Sequence, residues 1–444
     1  MSNLFSIASS GLRNANAQLA TTSNNLSNYT NKSYSRQYVN TTEAPLTGGA
    51  VRVGNGVFTD DAERYYDAML NNQRNSSYSA QYDYTAQQDG LNKLDKLYTY
   101  SSTDSTSLDK RINQFFSAAS TVAQDPTSTA ARQTLLSNGQ SMSNLFNSLS
   151  NQLQTFESTA DATIKSNVEQ VNKYGTQISQ LNDRISKVRA ETNAEPNELL
   201  DERDKAVAEL SKIVGIDTVT QDGHQLNISL SDGSTLVAGG DHFDLNSQRA
   251  QTLTGGTLGG TVEFRNGDLA TARKTLSNLA DSIATHSNSI QTQGYDLDGK
   301  QGKALFAIDA SAPDAAAGIK IALTDPRKVA AASTADSGQK DNRNALQLAD
   351  LQNQRFQIGD SKMSFSEAYA SNVSAVGTSV TDVNNRVTAQ GKVTAQLEEK
   401  QQSLSGVNTD EEFSNLIQYQ TYYKANSKIL STAMTLMDTI LQLN

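Results

Sequence analysis

Apolar positions near both ends of this chain recur at alternating spacings of three and four. The first series is Phe5, Ala8, Leu12, Ala15, Leu19, Thr22 and Leu26; the last is Leu416, Tyr419, Tyr423, Asn426, Leu430, Ala433, Met437 and Ile440. This spacing is the seam of a helix that packs along another helix. The last helix has a second apolar line, Ile429, Leu436 and Leu443. So wide an apolar arc exceeds what one partner helix covers, and neighbouring copies are expected to cover the rest. The chain thus leaves one place and returns to it, and that place is read as an assembly interface. Leu12, Leu19, Leu26, Leu416, Leu430, Met437 and Ile440 should carry it, with Phe5, Tyr423 and Asn426 on the same lines.

Between the seams the pattern is mostly helical. A polar run, Asn28 to Arg36, leads to Pro45, Gly48-Gly49 and Gly54-Asn55-Gly56, which punctuate short extended pieces at Val51–Val53 and Val57–Phe58. Helical periodicity resumes at about Arg64 and passes through Leu91, Leu94 and Leu97, then Ile112–Val122, then Leu135–Phe156. The strongest internal helix follows Ile164, Val168, Val171, Tyr174, Ile178, Leu181, Ile185 and Val188. Pro196 suits the first turn of the next helix, which should bury Leu199, Leu200, Val207 and Leu210 and stop at Gly215.

From Ile216 the period becomes that of a strand. Leu226, Ile228 and Leu230 alternate with polar residues between the turns Asp222-Gly223 and Asp232-Gly233. Glycine pairs at 239–240, 255–256 and 259–260 predict further short strands up to Phe264. Helix returns from Asp268 to Gln293, a loop-rich segment runs to Pro326, and Val329–Leu404 reads as mostly helical. The fold expected is mainly α with a small β domain. Residues 1–35 pair with 406–444 as a terminal coiled coil. Residues 36–215, 266–300 and 327–405 form a discontinuous helical-bundle middle domain, and 216–265 with 301–326 form an inserted β-rich domain.

Composition narrows the function. The 444 residues carry 37 basic and 47 acidic groups, a net charge of −10, which speaks against nucleic-acid binding. No stretch approaches the ~18 apolar residues of a membrane span, and the opening lacks the basic-then-apolar order of a cleaved signal peptide. Cysteine is absent, so neither disulfides nor thiolates contribute. Such a chain could stay in the cytosol, or leave through an exporter that threads unfolded protein.

Catalytic patterns are missing. His224, His242 and His286 stand at no zinc-ligand spacing and read as surface or turn residues. Neither a Gly-x-Ser-x-Gly elbow nor a phosphate-binding Gly-Lys-Ser/Thr loop occurs. Asp296-x-Asp298-Gly299 opens like a calcium loop, but Lys300 holds a ligand position and Ala307 stands where the terminal Glu belongs, so a plain turn is expected. No cofactor and no enzymatic activity are expected. Asp410-Glu411-Glu412 reads as a first helical turn favoured by the macrodipole, or else as a charged contact to a neighbouring subunit.

Several blocks resemble the bacterial flagellar axial proteins of rod, hook and filament. Ser10-Gly11-Leu12, Ser23-Asn24-Asn25-Leu26-Ser27-Asn28 and Tyr34-Ser35-Arg36-Gln37 look like their shared N-terminal signature. Gly54-Asn55-Gly56-Val57 leading to Tyr66-Asp67, the stretch from Asn197 to Asp204 running into Leu210–Ile216, and Ser405–Asn408 before Asp410-Glu411-Glu412 narrow the likeness to the hook-associated protein 1 family of hook–filament junction proteins. Lys32-Ser33 departs from the Pro-Gly usual before the motif's Tyr, and the segment from Phe306 to Asp325 is short where relatives insert another β domain.

The resemblance implies nested layers: terminal helices innermost, a helical middle, and a β domain projecting outward. It further implies export by the flagellar type III system and an extracellular place in the flagellum. The partners implied are copies of itself in a ring, the hook protein, the second junction protein and a cytoplasmic export chaperone on the C-terminal helix. Rival readings are another polymer subunit, such as the second junction protein or a flagellin, and a secreted effector or adhesin. The Tyr34–Gln37 and Asn197–Asp204 blocks argue against the first. The small β insert offers little chemistry for the second.

Overall fold

The structure, a computed structural model, describes residues 2–44, 54–103, 107–221 and 225–442. Pro45, Gly48-Gly49, Val51–Val53, Asp222-Gly223, His224 and Leu443 lie outside the described residues. The chain is largely helical with small sheets, and it packs as two units. The first comprises Met1–Tyr82, Val168–Gly256 and Ala389–Asn444; the second comprises Asp83–Asn167 and Thr257–Thr388.

The first unit opens with helix α1 (Ser2–Ser27) and the antiparallel hairpin β1 (Gln37–Glu43) and β2 (Val57–Arg64). Helix α2 (Ala68–Thr103) begins here, so Arg64, expected to restart the helical pattern, ends a strand instead. Beyond α3 (Leu108–Gln124), the helices read separately at 135–156 and 164–188 are one continuous element, α4 (Thr129–Thr192). Its later turns bury Val171, Ile178, Leu181 and Ile185. Helix α5 (Asn197–Ile213) buries Leu200, Val207 and Leu210.

A four-stranded antiparallel sheet follows, with β3 (Ile216–Thr220), β4 (Leu226–Leu230), β5 (Thr235–Ala238) and β6 (Asp241–His242) in sequence order. Leu226, Ile228 and Leu230 point into the core as their alternation requires. Gly233 adopts φ +79° in the Asp232-Gly233 turn. Buried Asn182 fastens α4 to this sheet: its Nδ2 donates to the Leu226 and Gly239 carbonyls, both at 2.8 Å.

Strand structure does not continue to Phe264. After the short helix α6 (Ser247–Ala250), residues Gly256–Phe264 form helix α7, which passes through a π-helical turn (Arg265–Leu269) into α8 (Ala270–Gln293). Gly239-Gly240 does turn the chain from β5 into β6, but Gly260 serves packing instead. A Cβ on Gly260 would lie 2.1 Å from the Asp83 carbonyl oxygen, while Leu258 and Val262, one turn apart, are buried. Nor do 301–326 join the 216–265 sheet. Strands β7 (Phe306–Ile308) and β8 (Ile319–Ile321), with the short helix α9 (Ala315–Gly318) between them, pair only with each other and belong to the second unit. The single discontinuous middle domain expected over 36–215, 266–300 and 327–405 is likewise shared between the two units, with boundaries inside α2, α4 and α11 (Phe365–Ser405).

The second unit closes around Leu94, Ile112, Phe115, Phe116, Leu135, Phe146, Leu276, Ile283 and Phe365. It adds α10 (Arg343–Asp350) and a hairpin, β9 (Phe356–Ile358) with β10 (Ser361–Met363), within the stretch read as helical. His286 is neither surface nor turn: it sits half-buried on α8 and stacks on Phe356 at 3.9 Å between ring centroids, and burial pushes its pKa down. His242 lies on the surface beside Asp244. In the Asp296–Gly299 turn, Asp296 Oδ1 accepts from the Asp298 and Lys300 amides, and Lys328 reaches both carboxylates. Hydrogen bonds from Lys328 and Arg327 hold the Asp298 carboxyl down at about 2.

Candidate assembly interface

The final helix, α12 (Thr409–Gln442), lies along α1. The small members of the N-terminal series, Ala8, Ala15 and Thr22, are its buried line, joined by Asn25. Leu12, Leu19 and Leu26 flank that line half-buried, and Phe5 remains 49% exposed. On α12, Ala433 and Glu412 are buried, while Leu416, Tyr419, Asn426 and Leu430 are half-buried. Small residues let the backbones approach closely. A methyl group on Gly11 would come within 2.5 Å of Asn426 Oδ1, so the two helices key together at that point. The Asn426 amide donates to the Tyr422 carbonyl of its own helix at 2.9 Å.

A polar knot closes the start of this pair. Asn25 is 1% exposed; its Oδ1 accepts from the Tyr34 hydroxyl at 2.7 Å and from the Gln37 amide at 2.9 Å. Its Nδ2 donates to the Gln37 carbonyl at 2.9 Å and to Glu412 at 3.2 Å. Arg36 donates from Nε to Glu412 at 2.7 Å and from a terminal nitrogen to Glu411 at 2.8 Å. The acidic run is therefore no free contact for a neighbouring subunit at these two positions, because its cation comes from the same chain 375 residues away. Burial, then the charges of Asp201 and Glu412, raise the Tyr34 pKa well above the ordinary phenol range, so its hydroxyl stays a donor.

A second knot ties the hairpin to α5. Arg64 bridges Asp201 at 2.6 Å and Asp204 at 2.9 Å, while Asp201 also accepts the Ser35 amide at 3.0 Å. Asn197 donates to the Ala62 carbonyl at 2.6 Å. Burial pushes the Asp204 carboxyl up despite Arg64 and Arg203, and burial with the Asp204 charge pushes Tyr66 up to about 12. At the hairpin's other end, Gly56 (φ +89°) sits against α1, where a side chain would strike Ser10. The sequence blocks that looked like a family signature thus converge on the two helices. Sequence reasoning named the seam and missed the knots; the signal for them was Arg36 inside a motif and an acidic run in the first turn of α12.

The outer face of α12 stays uncovered in a single chain. Tyr423, Met437 and Ile440 of the seam are about half exposed, as are Ile429 and Leu436 of the second line. Phe413, Ile417, Met434 and Leu441 are more than half exposed. An apolar patch of this extent marks an interaction surface. Among the described residues, no helix is long and apolar enough to cross a membrane.

Comparisons with known proteins point the same way. Residues 91–252 and 246–306 match the family described as Flagellar hook-associated protein FlgK helical domain, and 400–443 match Flagellar basal body rod FlgEFG protein C-terminal. The chain is 31% identical to flagellar hook-associated protein 1 of Escherichia coli K12 over the full length of both. It is 24% identical to that of Bacillus subtilis 168, over 96% of this chain and 95% of the relative. Its fold resembles the flagellar hook junction protein FlgK of Burkholderia pseudomallei, with a TM-score of 0.68 at 18% identity over 75% of this chain and all of that one. A structural flagellar component, the chain belongs to the flagellar hook-associated protein 1 family.

Proposed function

We propose that this chain is the adaptor subunit that joins the hook to the filament and permits filament assembly. The observation that carries the reading is the α12 face left bare after α1 has been packed. One chain cannot cover it; a ring of copies continuing an axial lattice can. Leu12, Leu19, Leu26, Leu416, Leu430, Met437 and Ile440, with Phe5, Tyr423 and Asn426, would form that inner interface. Hook protein below and the second junction protein above would be its neighbours, and the role is mechanical, without catalysis. Deleting the gene should leave hooks without filaments and flagellin shed into the medium. Filaments of normal number on the deletion strain would refute the reading.

Before assembly the same face is an aggregation hazard. We place an export chaperone on it, consistent with passage through the flagellar type III exporter. Coexpression with that chaperone should slow amide exchange across Ile429–Leu441; unchanged exchange there would exclude this footprint.

A further inference from the structure

We propose that a cleft beside the polar knots accepts an acidic side chain of a neighbouring copy of this chain. The cleft, about 300 Å³, lies in the first unit, with Tyr34, Tyr66 and Tyr78 in its wall and Lys32, Arg74 and Lys205 as its cations. Its own carboxylates are committed: Asp201 and Asp204 to Arg64, and Glu209 to Lys212 at 2.6 Å. Lys32, Arg74 and Lys205 make no ion pair among the described residues. Arg74 goes further: its Nε is buried with no hydrogen-bond partner.

Burial closes Nε itself to an incoming group, but the half-buried guanidinium lines the cleft, and its planar, multi-donor shape suits a carboxylate. Arg74 lies 5.7 Å over the Tyr78 ring, which in turn donates to Glu398 at 2.7 Å, so the fork is already oriented. The observations name a second copy as the source of that carboxylate. Acids outnumber bases by ten on this chain (47 − 37), whereas in this cleft the three carboxylates are already paired and Lys32, Arg74 and Lys205 are left over. Ser33–Ser35, which follow α1, and Ser405–Gly406, which lead into α12, border it, so it continues the assembly face. The inference rests on the axial reading given above.

A photo-crosslinking residue at Gln402, exposed on the cleft rim, tests this in cells building flagella from the full chain. A second probe at Met437 reports the α12 face independently. The Gln402 probe should capture another copy through a peptide bearing Asp or Glu. Arg74→Glu, or Lys205→Glu at an exposed position, should lower that yield about tenfold or more while the Met437 crosslinks persist. Capture of a different protein, no capture while Met437 still crosslinks, or a yield indifferent to both reversals would overturn the cleft proposal alone. Silence from both probes in flagella that assemble would overturn the axial reading and the cleft with it.

Discussion

Arg36→Ala should cost the terminal pair about 3–5 kcal/mol, because it strips the cation from a buried ion pair. The Glu412 side chain is 2% exposed, and without Arg36 its one remaining side-chain partner among the described residues is the Asn25 amide at 3.2 Å. The variant should unfold at lower temperature and loosen α12, so that trypsin cuts faster at Lys424 and Lys428, exposed side chains now held in a helix. Lysine at position 36 restores a charge but not the fork that reaches Glu411 and Glu412 together, so it should recover little. Replacing both partners with apolar residues, Arg36→Met with Glu412→Leu, should recover much of the loss, since no charge is then stranded. A single variant with wild-type melting and unchanged digestion would show that the knot does not hold α12.

The contrast between knot and seam shows what the sequence could convey. Long amphipathic elements were legible because their signal is local and repeated: α3, most of α4 and strand β4 fall where periodicity put them. Helix α7 was not, since Gly256, Gly259 and Gly260 lower helix propensity, while the contacts that require two of them, Gly256 against the Ile213–Val214 backbone and Gly260 against Asp83, lie far away in sequence. The β9–β10 hairpin is three residues a side, too short for a period to show. Arg36 and Glu412 carry no joint pattern at all; only folding makes them neighbours. In the seam, sequence identified the lines but ranked them by size, and the fold ranks them by approach. Ala8, Ala15 and Thr22 sit innermost because helices come closest where side chains are smallest, and the leucines fill the flanks.

That ranking sharpens what seam mutations should do. Leu430→Asp should leave bare hooks, because it places a carboxylate against α1 and, in the assembly, against neighbouring copies with no cation to pair it. Burying a leucine there is worth roughly 1.5–3 kcal/mol per copy, so losing it in every copy of a ring is decisive. Asn426→Leu differs. Leucine has nearly the shape of asparagine, so the fit over Gly11 persists, and among the described residues the lost amide donates to Tyr422 of the same helix. What disappears is the cost of sliding the carbonyl end of the amide, which sits over Gly11, onto a bulkier and more apolar stretch of α1. A slip of one heptad moves the attached domains about 10 Å at 1.5 Å per residue. Asn426→Leu should therefore give junctions that form but carry fewer or shorter filaments, counted by electron microscopy. Gly11→Val, which forces a branched side chain into Asn426, should fall nearer the bare-hook result, and Asn426→Ala should partly rescue it. Normal filament number and length in both Leu430→Asp and Asn426→Leu would remove the α1–α12 seam from the mechanism of assembly.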